Sequence, residues 1–318
     1  HCTVTVLRVP SNRTKTARIV EAYKKYLQPD VVAQLENMEL RARLVVEGFI
    51  TGLHKSPFHG FSVEFAEHRL YRPGDEIKYI DWKVYSRTDR YYVKQFEEET
   101  NLRAVIAVDG SASMGYASEG NITKYAYATY LASALCYLML KQKDAAGIAM
   151  YDAEVRTYLP PRAKMSYVRE LISALDGAVP SGATGTAAAL DVLAERIARR
   201  SFVVIISDFF DDIESVIGAM KHFRHQRHDV LAIQVLDPRE MDFDFGWAAN
   251  FVDMESGEEM VTQPFHIRSS YQESLRTFND RLRSECYAMN VDFLRVSTAT
   301  PFDKALTEYV AKRATVRG

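Results

Sequence analysis

Two rhythms of apolar and polar positions divide the chain near residue 100. After it, short wholly apolar runs alternate with segments of helical spacing. The apolar runs are Ala104–Val108, Ala146–Met150, Val203–Ile206, Val230–Leu236 and Val291–Val296. The helical spacing predicts helices over Thr123–Lys141, Ser166–Leu175, Ala187–Arg199, Ile213–His225, Ser270–Asn290 and Pro301–Lys312. A strand that is apolar throughout must be covered on both faces, and intervening helices supply that cover. The expected fold is therefore α/β, a doubly wound, mostly parallel sheet with helices on both faces, over residues 101–318.

Before residue 100 the text is aromatic, charged and irregular. Asp30–Met38 and Leu40–Gly52 have helical spacing, with Gly52 suited to a stop. Ser56–Gly60 is turn-rich, Phe61–Phe65 alternates as a half-buried strand does, Arg72–Asp75 is a turn, and Tyr91–Phe96 is a further strand. Residues 30–100 are thus expected to form a small helical and β-rich subdomain. Residues 1–29, which open on His1 and carry Arg8, Arg13, Lys15 and Arg18 before any acid, are expected to be a flexible segment. Within the subdomain, arginines at 69, 72, 87 and 90 alternate with aspartates at 75, 81 and 89 around Trp82. Either this is a charged docking surface with Trp82 as its aromatic anchor, or Trp82 is buried and its neighbours are paired.

Chemistry enters at the end of each strand. Asp109, Asp152, Asp208 and Asp237 each come directly after an apolar run or within two residues of it. In an open parallel sheet the carboxyl ends of the strands share one edge, where ligands bind. An aspartate there can equally cap the next helix, which is the expected role of Asp152 and Asp237. Asp109 and Asp208 have other neighbours. In Asp109-Gly110-Ser111-Ala112-Ser113, a carboxylate and two hydroxyls share one tight loop. The Gly182-Ala183-Thr184-Gly185-Thr186 loop adds hydroxyls, and Asp208 adds a second carboxylate. Such hard oxygen donors, with no His or Cys beside them, suit Mg²⁺ or Mn²⁺, and Ca²⁺ less well. Two carboxylates leave a divalent cation incompletely neutralised and open to a carboxylate from outside. Phe209 and Phe210 come directly after Asp208 and either rim a partner site or fold back onto the sheet edge.

This arrangement, DxSxS, then a threonine loop, then an aspartate after a later strand, resembles the metal-ion-dependent adhesion site of von Willebrand factor A domains. The resemblance implies that Asp109, Ser111, Ser113, Thr184 and Asp208 hold the metal, with Thr186 the alternative to Thr184. It also implies that the open coordination position takes a Glu or Asp of a protein partner. The preceding motifs sharpen it. Ser56-Pro57-Phe58-His59-Gly60, Tyr71-Arg72-Pro73-Gly74-Asp75, Ile80-Asp81-Trp82, Tyr92-Val93-Lys94 and Asp109-Gly110-Ser111-Ala112-Ser113-Met114 together resemble the bacterial DUF58 family, closely over about residues 35–240. That resemblance implies an adaptor role beside a MoxR-type AAA+ ATPase.

Composition changes this picture little. Of the 318 residues, 40 are basic and 42 acidic, so charge gives no whole-chain signal for nucleic acid. The three cysteines, Cys2, Cys136 and Cys286, are far apart and read as neither a disulfide framework nor a metal or redox pair. The most apolar run, Ala126–Leu140, spans only about 22 Å as a helix, short of the roughly 30 Å of a bilayer core. A cytoplasmic protein without a transmembrane segment is expected. Enzyme readings are weaker. Ser111-Ala112-Ser113-Met114-Gly115 lacks the first glycine of a nucleophile elbow, and no phosphate-binding loop of the Walker type occurs, so no nucleotide is expected on this chain. A metal-dependent hydrolase and a metal-free scaffold are the alternatives to a metal-dependent binding module. His222, His225 and His228 read as the basic end of a helix.

Overall fold

The computed structural model describes residues 29, 32, 37–53, 68–71, 85, 90–94, 102–181, 185–246, 249–252 and 259–307. A sixteen-residue helix α1 (Met38–Leu53) comes first, running past Gly52. Strands β1 (His68–Leu70) and β2 (Tyr92–Lys94) then pair antiparallel. The main unit follows in the order β3 (Arg103–Asp109), α2 (Lys124–Lys141), β4 (Ala145–Tyr151), β5 (Val155–Arg162), α3 (Val168–Asp176), α4 (Thr186–Arg196) and β6 (Phe202–Ser207). It continues with α5 (Ile213–His225), β7 (Asp229–Leu236), α6 (Pro238–Asp242), the hairpin β8 (Ala249–Val252) and β9 (Glu259–Thr262), α7 (Pro264–Ala288) and β10 (Asp292–Ser297). A last helical stretch covers 302–307, and the rest of the helix expected to Lys312 lies outside the described residues.

Six strands form one sheet in the order β10-β7-β6-β3-β4-β5. All neighbours are parallel except β5, which runs antiparallel to β4 at the edge. The doubly wound fold read from the sequence is the fold the chain has. Its two layers are visible along β3 alone. Ala104, Ile106 and Val108 face a core shared with α1, α2 and α3, while Val105 and Ala107 face a core shared with α4, α5 and α7. Helix α2 is buried almost all round, as its uniformly apolar sequence requires. It starts at a capping hydroxyl, Thr123, which accepts a hydrogen bond from the Ala126 N–H at 3.0 Å. Met38, Ala42, Val45 and Val46 of α1 lie in the same core as α2. The described helical part of the 30–100 segment therefore shares its core with the α/β unit.

The five apolar runs are strands of this sheet, with every end within one residue of the expected one. Strand β1, strand β5, helix α6 and the β8–β9 hairpin were not expected. Strand β5 contains Pro160 and Pro161, which suit an edge position because no further strand needs their missing donors. Helix α6 has only five residues, and the β8–β9 hairpin is short. Helix α7 begins at Pro264, well before Ser270, with proline at a position whose N–H has no helical partner anyway. The strand expected at Phe61–Phe65, the turn at Arg72–Asp75, most of the helix at Asp30–Met38 and the flexible segment 1–29 lie outside the described residues.

The topology creates one crevice. From β3 the chain moves outward through β4 and β5, then returns to place β6 on the other side of β3. Helix α2, leaving β3, packs on one face, and α5, leaving β6, packs on the other. The carboxyl ends of β3 and β6 thus border a gap between diverging connections, the topological switch point where α/β proteins bind ligands.

At the opposite side of β3, Gly147 allows the β5 edge to approach. A Cβ there would meet the Leu159 carbonyl oxygen at 2.5 Å, the Pro161 nitrogen at 2.7 Å and the Pro160 carbonyl carbon at 2.9 Å. All three are backbone atoms and cannot swing aside. Gly147→Ala is expected to cost about 2 kcal/mol or more of stability, read by urea denaturation, because overpacking forces a backbone shift. A loss below about 0.5 kcal/mol would mean that the edge strand gives way freely.

Candidate metal centre at the sheet switch point

Asp109 is the last residue of β3 and is 1% exposed. Its carboxylate is held on both sides. Oδ1 accepts from the Ser111 N–H at 2.9 Å, and Oδ2 accepts from the Ser207 hydroxyl at 2.6 Å. The chain turns sharply after it, with the Gly110 N–H donating to the Tyr151 carbonyl at 2.6 Å. Ser111 is buried, Ser113 half-buried, and their hydroxyl oxygens lie 3.1 Å apart. A short 3₁₀ turn, Ala112–Gly115, fixes this spacing, so the two hydroxyls and the carboxylate come from one curled loop as the sequence suggests.

Asp208 comes directly after β6 and is also 1% exposed. Oδ1 accepts from the Phe210 N–H at 3.1 Å. Oδ2 accepts from the ammonium of Lys124 at 2.8 Å, and the same ammonium donates to Glu240 Oε1 at 2.6 Å. Lys124 itself is 1% exposed. Burial works against its charge, but Asp208 and Glu240 outweigh that and hold its pKa above the ordinary lysine value. Glu240 is anchored through Oε2, which accepts from the Asp237 N–H at 2.8 Å in the capping box of α6.

The two aspartates feel each other. The Asp109 carboxyl is pushed up from 3.8 to about 6, first by burial and then by the charge of Asp208, against the pull of its hydrogen bonds to Ser207 and Ser111. Close by, the Tyr151 hydroxyl is buried, and burial, then the charge of Asp109, keep it protonated. Negative charge and hard oxygen are thus concentrated where one more cation would relieve the repulsion. Among the described residues no three His, Cys, Asp or Glu converge on a metal position, so an ion here would rely on hydroxyl oxygens beside the carboxylates. That donor set fits Mg²⁺ or Mn²⁺.

Thr184 lies outside the described residues, as do Trp82 and most of the charged run around it. Thr186 opens α4 and is buried. Phe209 is wholly buried in the core between the sheet and α5, so the partner-binding expectation for it is corrected: a backbone φ of 58° turns its ring inward. That left-handed conformation is unusual for a bulky residue, and the Phe209 N–H bonded to Ser207 Oγ at 2.8 Å helps to hold it. Phe210 alone of the pair is half-buried, with the Lys124 ammonium 5.2 Å from its ring centroid and Phe278 beside it.

The other strand-end aspartates are structural. Asp237 caps α6 as expected, accepting from the Arg239 N–H, and also accepts from the Ser118 N–H, whereas Asp152 caps no helix: it lies in the β4–β5 turn and accepts from the Glu154 N–H and Arg156. Asp212 caps α5 through the Ser215 N–H. His222 and His225 sit in the last turn of α5, with His222 Nδ1 3.0 Å from Asp191. His228 differs from the basic helix end expected of it. It is 1% exposed, and its Nδ1 accepts from the Ser201 N–H. Sequence reasoning did not find Ser207, Lys124 or Glu240. Ser207 precedes Asp208 in the strand, so alternation could have pointed it the other way, toward Asp109. A lysine heading an apolar helix was the one local sign of the buried ammonium.

The doubly wound sheet, with its DxSxS loop at the switch point and an aspartate directly after the adjoining strand, is von Willebrand factor A-like in fold. The chain belongs to the DUF58 family: the model of that family, described as a protein of unknown function, matches residues 67–281, beginning and ending later than the 35–240 expected. It is 31% identical over 244 residues to the uncharacterized protein Rv1480 of Mycobacterium tuberculosis, covering 75% of this chain and 74% of that protein. Solved structures with likeness to it include the conserved hypothetical protein BatB from Bacteroides thetaiotaomicron, at 16% identity and a TM-score of 0.46 over 67% of this chain and 99% of that one. The vWF domain of the type V pili tip protein Mfa5 from Porphyromonas gingivalis is similar at 14% identity and a TM-score of 0.34, over 65% of this chain and 95% of that one.

This geometry has two consequences for pH dependence. The folded-state pKa of Asp109 stands above its unfolded value, so its contribution to stability is full below pH 3.8 and is lost as pH rises through about 6. In EDTA, Asp109→Asn is expected to raise the melting temperature at neutral pH by several degrees and to flatten the decline across that window; melts from acid to neutral pH check it. Burial lowers the pKa of His228 below 6.5, so its contribution is present above that pH and lost as pH falls further. The stability lost on acidification below pH 6.5 should shrink in His228→Asn, measured by urea titrations.

Proposed function

We propose that the chain is a protein-binding module that uses a divalent cation, Mg²⁺ or Mn²⁺, to grip an Asp or Glu of its partner. The single observation that carries this reading is the crowding of Asp109 and Asp208 at the switch point, beside the paired hydroxyls of Ser111 and Ser113. In it, Ser111, Ser113 and Asp208 hold the ion together with a threonine of the 184–186 loop. Asp109 acts from behind, orienting the loop through the Ser111 N–H and linking to β6 through Ser207. The bound ion supplies positive charge for a carboxylate from outside. The resemblance to DUF58 proteins adds a partner class, a MoxR-type AAA+ ATPase, with this chain as adaptor and not as enzyme, acting in the cytoplasm. Among the described residues no helix is long and apolar enough to cross a membrane.

The reading is tested by melting and by capture. Saturating Mg²⁺ should raise the melting temperature over EDTA, by an amount growing as RT ln(1+[L]/Kd), and Asp208→Ala should abolish the gain. Capture of a purified MoxR-type ATPase in Mg²⁺ should fall in EDTA and at least tenfold in Ser113→Ala with the fold intact. Identical melts in Mg²⁺ and EDTA would sink the metal centre. Undiminished capture by Ser113→Ala would sink its use in docking.

A further inference from the structure

We propose that Lys124 is a tethered cation that competes with the divalent ion for Asp208 and so keeps the intrinsic metal affinity of the site low. The proposal rests on the metal-site reading and deepens it.

The position of Lys124 is costly in two ways. It is the first residue of α2, where the helix dipole presents its positive end and favours acids. It is also 1% exposed, so its charge has left water. A helix start alone would be served better by almost any other residue. What holds Lys124 there is the pair of carboxylates, Asp208 on β6's exit and Glu240 on α6, with the rings of Phe210 and Tyr116 near its ammonium.

Both oxygens of Asp208 are already engaged, and its charge is already shared. Oδ1 takes the Phe210 N–H and Oδ2 takes the ammonium. An ion drawing on either oxygen therefore shares the carboxylate with the Lys124 ammonium or displaces it, and two like charges on one carboxylate repel. Lys124 has somewhere to put its weight without leaving the interior, because Glu240 Oε1 lies 2.6 Å away and is fixed by the Asp237 N–H on its other oxygen. The charge count agrees. Asp109, Asp208 and Glu240, with Asp237 buried behind Glu240, outnumber the one ammonium and leave negative charge that a divalent cation would offset. With Lys124 neutral that negative charge would be larger and the ion held more tightly. A weakly held ion gains most from a carboxylate that arrives from outside, so Lys124 makes occupancy depend on the partner.

The test is titration of the full chain with Mn²⁺ alone, reading free Mn²⁺ by electron paramagnetic resonance, in wild type, Lys124→Met and Lys124→Gln. The glutamine keeps hydrogen-bond donors for both carboxylates and guards against loss of fold in the methionine variant. Mn²⁺ affinity should rise about tenfold or more in the neutral variants, while their melting temperature in EDTA falls. A lysine that only braced the fold would leave the affinity unchanged or lower. Unchanged or weaker Mn²⁺ binding in a variant with the wild-type circular dichroism spectrum, beside measurable wild-type binding, overturns the competition and leaves the metal centre standing. No Mn²⁺ binding in wild type and both variants overturns the metal centre and the competition together.

Discussion

The architecture around the switch point depends on keeping two ionisable carboxylates, Asp109 and Asp208, together out of water. Neither can be buried charged without compensation, and each raises the cost of the other. The compensation present is specific. The Ser111 N–H and Ser207 hydroxyl serve Asp109, while the Phe210 N–H and Lys124 ammonium serve Asp208. The hydrogen bonds satisfy oxygens but do not cancel burial and, after it, the charge of Asp208, which together push the Asp109 carboxyl up to about 6. A fold selected only for stability would place apolar residues there, since replacing buried ionic groups by packed hydrophobes is often neutral or favourable.

The compensation also ties together parts of the chain that share no sequence proximity. From Asp208 the chain of contacts runs through Lys124 to Glu240, on to the Asp237 N–H, and from the Asp237 carboxylate to the Ser118 N–H. The ends of β6 and β7, the start of α2 and the loop after DxSxS are thereby coupled. Just beyond α6, Phe243 takes a left-handed backbone conformation and stacks against Phe251 and Tyr271, so this flank is packed by aromatic rings as well as by charge.

Much of this was legible from the residues. Apolar runs such as Val203–Ile206 read directly as central strands because both their faces are covered, and the covering helices announce themselves by spacing. Asp237 caps α6 as its place after a strand suggested, and Asp109 lies beside a hydroxyl pair, but Asp152 closes the β4–β5 turn because no helix follows its strand. Strand β5 was hidden because its Pro160 and Pro161 look like breakers, and only its edge position makes them harmless. Phe209 looked like a rim residue because nothing local marks the left-handed turn that sends its ring inward.

By itself the sequence determined the layer architecture and the donor types, because periodicity reports burial and a short loop such as Asp109–Ser113 fixes its own geometry. Only the tertiary structure decided which charges meet. Lys124 is 84 residues from Asp208 and 116 from Glu240, and their encounter depends on β6 returning beside β3 and on α6 folding back over the start of α2. Electrostatic partnership acts through space, and a linear pattern carries no record of which distant groups the fold will bring within a hydrogen bond's reach.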